Sequence, residues 1–292
     1  MDTLRTLRTA DNITLGYRLY RGSDKPRRLI VLLHGVASNM TRWSEFAEQT
    51  SLKESWDILR LDQRGHGESF ARGRLNMEIW RRDLQAVLDA EGYDQALLCG
   101  HSLGAQVAVQ FAACCPARVR GLILIDPVFH EALRGDMLKL SHAQAPIRLL
   151  TGLIRLLNTL GLHRRHIPNR DLRQLDEATR ATLLKAGKKQ AMIDLYSSPW
   201  LDMKFFPSAN YLQELLEIIQ PLPPLPSLPM PLLALLSSGV TYTEPDVTRR
   251  ILSAHRDTTI VTIDAHHWPL TESPAQVREA IEQWCGRFTD NQ

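Results

Sequence analysis

Six short apolar runs, each closed by glycine or a polar residue, narrow most what this chain can fold into. Leu29–Leu33 ends at His34-Gly35, Ile58–Leu61 at Asp62, and Ala96–Cys99 at Gly100. Leu122–Ile125 ends at Asp126, Leu232–Leu236 at Ser237, and Thr259–Ile263 at Asp264. Unbroken apolar runs of this length suit strands that are covered on both faces. Helical patterns lie between them, at Met77–Ala90, Ala105–Cys114 and Pro274–Phe288. This alternation predicts an α/β chain with a mostly parallel, doubly wound sheet and helices on both sides. Reactive residues are expected just beyond the strands' C-terminal ends.

The alternation breaks once. Between Asp126 and Leu232 the periodicity is helical and no strand is evident. Leu149, Leu150, Leu153, Ile154, Leu156, Leu157 and Leu160 make a broad apolar stripe, with Arg148, Arg155 and Arg164 off it. An apolar stripe needs a surface to cover, so this stretch is expected to form a helical cap whose stripe faces the site below. The proline-dense run from Pro221 to Pro231 cannot continue a helix and reads as a stiff connector back to the sheet. The expected organisation is a first core segment over 1–128, an inserted helical cap over 129–226, and a last core segment over 227–292.

The bulk numbers exclude several classes. A length of 292 residues suits one large domain or a domain with an insertion. A net charge of +3 is too small for the concentrated basic field of a nucleic-acid binder, so no nucleic-acid partner is expected. The cysteines, Cys99, Cys114, Cys115 and Cys285, form no C-x-x-C pair, which gives no support for zinc or redox motifs. No basic start followed by an apolar stretch opens the chain, and no run reaches the roughly 18 apolar residues of a membrane span. The expectation is a cytoplasmic protein without stable membrane insertion. His163 and His166 lack carboxylate company and read as a solvated helix end, and no metal or cofactor is expected.

Gly100-His101-Ser102-Leu103-Gly104 carries the chemistry. It follows an apolar strand and opens a helix, the strand-turn-helix context that a G-x-S-x-G serine requires. Such a turn strains the serine backbone, and side chains on either flank would meet the strand or helix, hence the glycines. The hydroxyl is then presented at a helix N-terminus, where backbone N–H groups can stabilise an oxyanion. A serine hydroxyl also needs a base to take its proton.

With these residues in place the chain resembles the α/β-hydrolase superfamily over nearly its whole length. His34-Gly35 resembles the oxyanion-loop motif, Asp62–Ser69 the D-x-R-G-x-G-x-S turn, Gly100–Gly104 the nucleophile elbow, and His266-His267-Trp268-Pro269 the segment with the catalytic histidine. The resemblance implies Ser102 as nucleophile, His267 as general base, and the backbone N–H groups of Val36 and Leu103 as oxyanion donors. It gives Asp62, Arg64 and Gly65 a structural role. His34, His101, His266 and Trp268 are expected near the pocket.

The acid departs from the family pattern, because the usual position after the seventh strand falls near Val240. Asp126, after the sixth strand, is the first choice; Glu244 and Asp246 are the alternatives. The implied activity is cleavage of a lipophilic ester or related carbonyl compound, a small apolar substrate, through an acyl-enzyme. Serine at the nucleophile position argues against dehalogenase and epoxide hydrolase chemistry, which use aspartate there. A cofactor-independent ring-cleaving dioxygenase of the same fold and a non-catalytic ligand-binding member remain as alternative readings.

Overall fold

A computed structural model describes residues 2–23 and 25–288. Its eight strands are β1 (Asp2–Arg8), β2 (Thr14–Tyr20), β3 (Arg28–Leu33), β4 (Trp56–Leu61), β5 (Ala96–His101), β6 (Val119–Ile125), β7 (Leu232–Ser237) and β8 (Thr258–Ile263). They form one sheet in the order β1-β2-β4-β3-β5-β6-β7-β8. Pairing is parallel from β4 through β8, while β2 runs antiparallel to both its neighbours. The helices are α1 (Ser44–Gln49), α2 (Met77–Ala90), α3 (Leu103–Cys114), α4 (Gly135–His142), α5 (Gln144–Thr159) and α6 (Leu172–Thr179), then α7 (Lys189–Tyr196), α8 (Pro199–Phe205), α9 (Ser208–Ile218), α10 (Pro245–Ser253), α11 (Pro269–Glu272) and α12 (Pro274–Cys285).

The six runs fall in the six strands β3 to β8, but the expected cover on both faces fails for β8, which lies at the sheet edge and is buried only at Ile263. In β3, Leu29, Val31 and Leu33 enter one core with α2 and α3, through Trp80, Leu84 and Phe111. Ile30 and Leu32 enter the opposite core with α1 and α12, through Phe46, Val277 and Ile281. Side chains alternate along a strand, so a strand buried on both faces is apolar at every position.

Strand order reverses between β3 and β5: β4 lies on one side of β3 and β5 on the other. Loops after the two strands therefore diverge and leave a crevice at their C-terminal ends. His34-Gly35 follows β3, and Ser102 follows β5. The D-x-R-G-x-G-x-S turn braces this edge. The buried Asp62 carboxylate accepts the N–H groups of Met40 (2.6 Å) and Glu68 (2.8 Å). Arg64 is paired with buried Asp83 at 2.6 Å and also with Asp11.

Between β6 and β7 stand six helices, α4 to α9, and no strand. The leucine stripe is where the sequence expectation fails. Leu149 is 78% exposed, Leu153 53%, Leu156 58% and Leu160 67%. The stripe faces away from Ser102, because α5 packs on α9 through its other side, where Thr151 is buried. Amphipathic periodicity identifies the helix; it does not say which side finds a partner.

Candidate functional site

Ser102 sits at φ 51°, ψ −112°, between β5 and α3. Its N–H donates to the Ile125 carbonyl of β6 at 2.9 Å, which ties the turn to the neighbouring strand. The flanking glycines are required by close approach. A Cβ on Gly100 would stand 2.2 Å from the backbone of Gly104, and one on Gly104 would stand 2.4 Å from the Leu33 carbonyl oxygen. Both contacts are with backbone, so no rotamer change relieves them.

His267 arrives from the loop between β8 and α11 with φ 121°, a left-handed value that strains a non-glycine residue. Its Nε2 lies 3.1 Å from Ser102 Oγ, within reach of the hydroxyl proton. Burial holds the imidazole well below the usual histidine range, so it is neutral and able to accept. The Tyr242 ring stands edge-on to it, with centroids 4.7 Å apart.

Asp126 is brought to the same place, but not into the expected hydrogen bond. Its Oδ2 is 3.9 Å from His267 Nδ1, beyond the 2.6–3.2 Å range expected from the sequence. Ser237, at the end of β7, explains the gap: its N–H donates to Oδ1 at 2.7 Å and its hydroxyl to Oδ2 at 2.5 Å. The same hydroxyl accepts the His267 N–H at 3.2 Å, so Ser237 bridges carboxylate and histidine backbone. Burial raises the Asp126 carboxyl to about 6; the two Ser237 donors oppose this and the Glu272 charge adds to it. Glu244 pairs with Arg134 at 3.3 Å, and Asp246 lies in the first turn of α10.

Leu103 opens α3, and its N–H has no acceptor among the described residues; the N–H of Val36 has none either. The loop bearing Val36 is pinned by a residue that sequence reasoning missed. Buried Glu214 of α9 accepts the Ala37 N–H at 2.9 Å, with Ala37 at φ 47°. Glu214 stands among Leu212, Leu215, Leu216, Ile218 and Ile219, but Gln213 and Glu217 share the stretch, so the sequence does not single it out.

A cavity of about 510 Å³ opens over Ser102 and His267. His101 and Trp268 line it, as expected; His34 and His266 do not. His34 is fully buried beneath the loop, its Nε2 accepting the Gln63 N–H at 3.1 Å. His266 turns to Glu272, Nδ1 to Oε2 2.9 Å. His101 donates from Nε2 to the His267 carbonyl at 2.7 Å, and burial lowers it to about 4, so it is neutral. The inserted helices supply Met137, Leu140, Leu215 and Ile218 as apolar wall, and Tyr196, Asp202 and Tyr211 as polar wall. Arg42 also reaches the wall, paired with Asp176 and donating to Thr271 Oγ1 at 2.8 Å.

His101, Asp126 and His267 are the one set among the described residues whose metal-ligating atoms gather within 4.8 Å. Their hydrogen bonds already direct them elsewhere: His101 to a carbonyl, Asp126 to Ser237, His267 to Ser102. No helix among the described residues is long and apolar enough to cross a membrane.

Comparison with known proteins gives these features a setting. A model of the alpha/beta hydrolase family matches residues 30–280. The sn-1-specific diacylglycerol lipase ABHD11 of Mus musculus is 31% identical over 114 residues, 39% of this chain and 37% of that protein. Protein phosphatase methylesterase 1 of Candida albicans is 31% identical over 120 residues, 39% of this chain and 33% of that protein. The chain thus spans well under half the length of the curated relatives it matches. Among solved structures, a hydrolase from Pseudomonas aeruginosa PA01 superposes with a TM-score of 0.68 at 21% identity, covering 97% of this chain and 98% of that one. An enol-lactonase from Burkholderia xenovorans LB400 gives 0.70 at 16% identity, covering 97% and 100%. Likeness at that identity shows the fold.

Proposed function

The chain belongs to the alpha/beta hydrolase family, and on that premise we propose that it is a serine hydrolase cleaving a carboxylic ester or related acyl compound through an acyl-enzyme on Ser102. The observation that carries this reading is the 3.1 Å approach of a neutral His267 Nε2 to Ser102 Oγ at a strained elbow. His267 takes the hydroxyl proton as Oγ attacks the acyl carbon, and the N–H groups of Val36 and Leu103 receive the oxyanion. Each such donor is typically worth about 3 kcal/mol in the transition state. The leaving alcohol departs with the proton from His267. Water, deprotonated by His267, then releases the acid and restores Ser102.

The cavity suits a substrate with an apolar acyl part and a polar end. Met137, Leu140, Leu215 and Ile218 favour the first, and Asp202 with Tyr211 favours the second. A volume of about 510 Å³ lies within the usual range for small-molecule sites. The segment from about 129 to 226 serves in this reading as the cap that sets acyl preference. Fluorophosphonate labelling with peptide mapping, followed by a panel of p-nitrophenyl esters of increasing chain length, tests it. Labelling should map to Ser102 and hydrolysis should pass through an optimum chain length. An unlabelled protein without esterase activity would overturn the proposal.

The pH profile should follow from Asp126. The carboxyl titrates at about 6, because burial outweighs the Ser237 donors. Above that pH it is an anion beside His267; below it the anion is lost, and with it the stabilisation of the imidazolium that forms during attack. The kcat/KM for an uncharged ester should therefore fall through a midpoint of about pH 6 on acidification and stay level from there toward pH 8. A profile still level at pH 5 would show that turnover does not depend on Asp126 ionisation.

A further inference from the structure

Helix α5 carries more apolar surface than its packing uses. The side with Thr151 buried and Ile147, Ile154 and Asn158 half-buried faces α9. Roughly opposite lie Leu149, Leu150, Leu153, Leu156, Leu157 and Leu160, spaced i, i+1, i+4, i+7, i+8 and i+11, a single helical stripe. Their exposures run from 36% for Leu157 to 78% for Leu149. Leu162, just past the helix, is 65% exposed. Trp200 of α8 is 79% exposed, and α8 is tied to the same segment, because Arg164 donates to the carbonyls of Met203 (2.6 Å) and Phe206 (3.1 Å). A soluble domain rarely leaves so continuous an apolar stripe in water without a use for it.

Charge identifies what covers the stripe. From Ser141 to Arg170 the sequence holds five arginines and three histidines, with no aspartate or glutamate. The segment alone carries +5 where the whole chain carries +3, so the rest of the chain sums to −2. None of the five arginines makes an ion pair among the described residues, and Arg148 and Arg165 are exposed. Arg164 is held by carbonyls of α8 and Arg170 is stacked on Phe205, so the exposed leucines, Arg148, Arg165 and Trp200 are what complement an anionic lipid surface. A two-fold contact between copies would set this patch against itself, and a patch whose charges are all positive would then face positive charge.

We propose that the outer face of α5, with Leu162, Trp200 and the flanking arginines, docks this protein onto anionic phospholipid bilayers. Attachment is peripheral: the helix has 16 residues and lies along the interface rather than crossing it. The adjoining helix α4 supplies Met137 and Leu140 to the cavity, and Pro199, beside Trp200, also lines it. Docking therefore brings the lipid surface next to elements that wall the cavity. The inference goes beyond the hydrolase reading and does not depend on Ser102.

Co-sedimentation with phosphatidylcholine vesicles, with and without phosphatidylglycerol, tests it. Binding to the phosphatidylglycerol vesicles should be stronger by about tenfold or more and should weaken with salt. The double variant Leu153→Asp, Leu156→Asp should lose about tenfold or more of that binding. Both leucines are exposed, so its circular dichroism and its hydrolysis of a soluble short-chain ester should match wild type. Ser102→Ala should bind vesicles as wild type does, which separates failure here from failure of the hydrolase reading. Absence of vesicle binding, or equal binding by the leucine variant, would overturn the proposal. So would a wild-type dimer that the leucine variant converts to monomer without any vesicle binding, since a second copy would then cover the face.

Discussion

Replacing Ser102 with alanine is expected to lower ester turnover by a factor of about 10⁶ and to abolish fluorophosphonate labelling, while the fold stays intact. The side chain of Ser102 makes one hydrogen bond, to His267 Nε2, so its loss orphans no buried network. The strained backbone at φ 51° is held by the Ser102 N–H bond to Ile125 and by the glycines on either side. Serine and alanine suffer alike at positive φ, both having a Cβ. Thermal unfolding should therefore move little while turnover collapses, and the remaining rate would come from binding and the oxyanion donors alone. Steady-state kinetics of purified wild type and variant, with melting curves beside them, make the comparison. Near-normal turnover in the variant would remove Ser102 from the mechanism and the acyl-enzyme with it.

What the sequence discloses depends on whether a residue's meaning is local. Strands β3, β5, β6 and β7 are legible because both faces are buried and their central residues are apolar; β4 also carries the buried Asp57 and Arg60, and the edge strand β8 is buried only at Ile263. Strands β1 and β2 escape notice: β1 alternates exposed with half-buried positions and is written in Asp, Thr, Arg and Leu, which a loop can share. Ser102 is legible because the strand-turn-helix context and the G-x-S-x-G spacing are local, with Gly100 answering to a clash inside the turn, at Gly104, although Gly104 itself answers to Leu33 on the neighbouring strand. The partners of Asp126 are not local. Whether its oxygens reach His267 depends on Ser237, 111 residues away on another strand. Glu214 holds Ala37 across 177 residues, and no spacing rule connects them. The leucines of α5 show the converse limit. Their periodicity is strong, yet the helix packs through its other side, and only the tertiary arrangement settles that choice.

The acid is where geometry and chemistry most need an experiment, and Asp126→Asn should lower kcat by a factor on the order of 10⁴ with little loss of stability. The amide keeps the shape of the carboxylate and can still accept the Ser237 N–H, now bonded at 2.7 Å. What it removes is the negative charge facing His267 Nδ1. At 3.9 Å the pair is held apart by the Ser237 hydroxyl in the resting enzyme. In the proposed mechanism His267 takes the serine proton and becomes a cation beside a buried anion, and in a low-dielectric site their attraction is far stronger than in water. A small shift of either side chain would then close the gap, as catalytic hydrogen bonds commonly tighten only once substrate is engaged. Rival carboxylates are paired or placed elsewhere. Glu244 is paired with Arg134, Asp246 lies in the first turn of α10, and Glu272 is engaged by the His266 ring and by the N–H groups of His266 and Trp268. Glu244→Gln and Asp246→Asn should accordingly leave kcat within about twofold, as expected of surface substitutions remote from such features. Measured side by side on one ester, the three variants locate the acid. A large loss in Glu244→Gln or Asp246→Asn with Asp126→Asn near normal would place it after β7 and leave Asp126 as a turn residue that Ser237 caps.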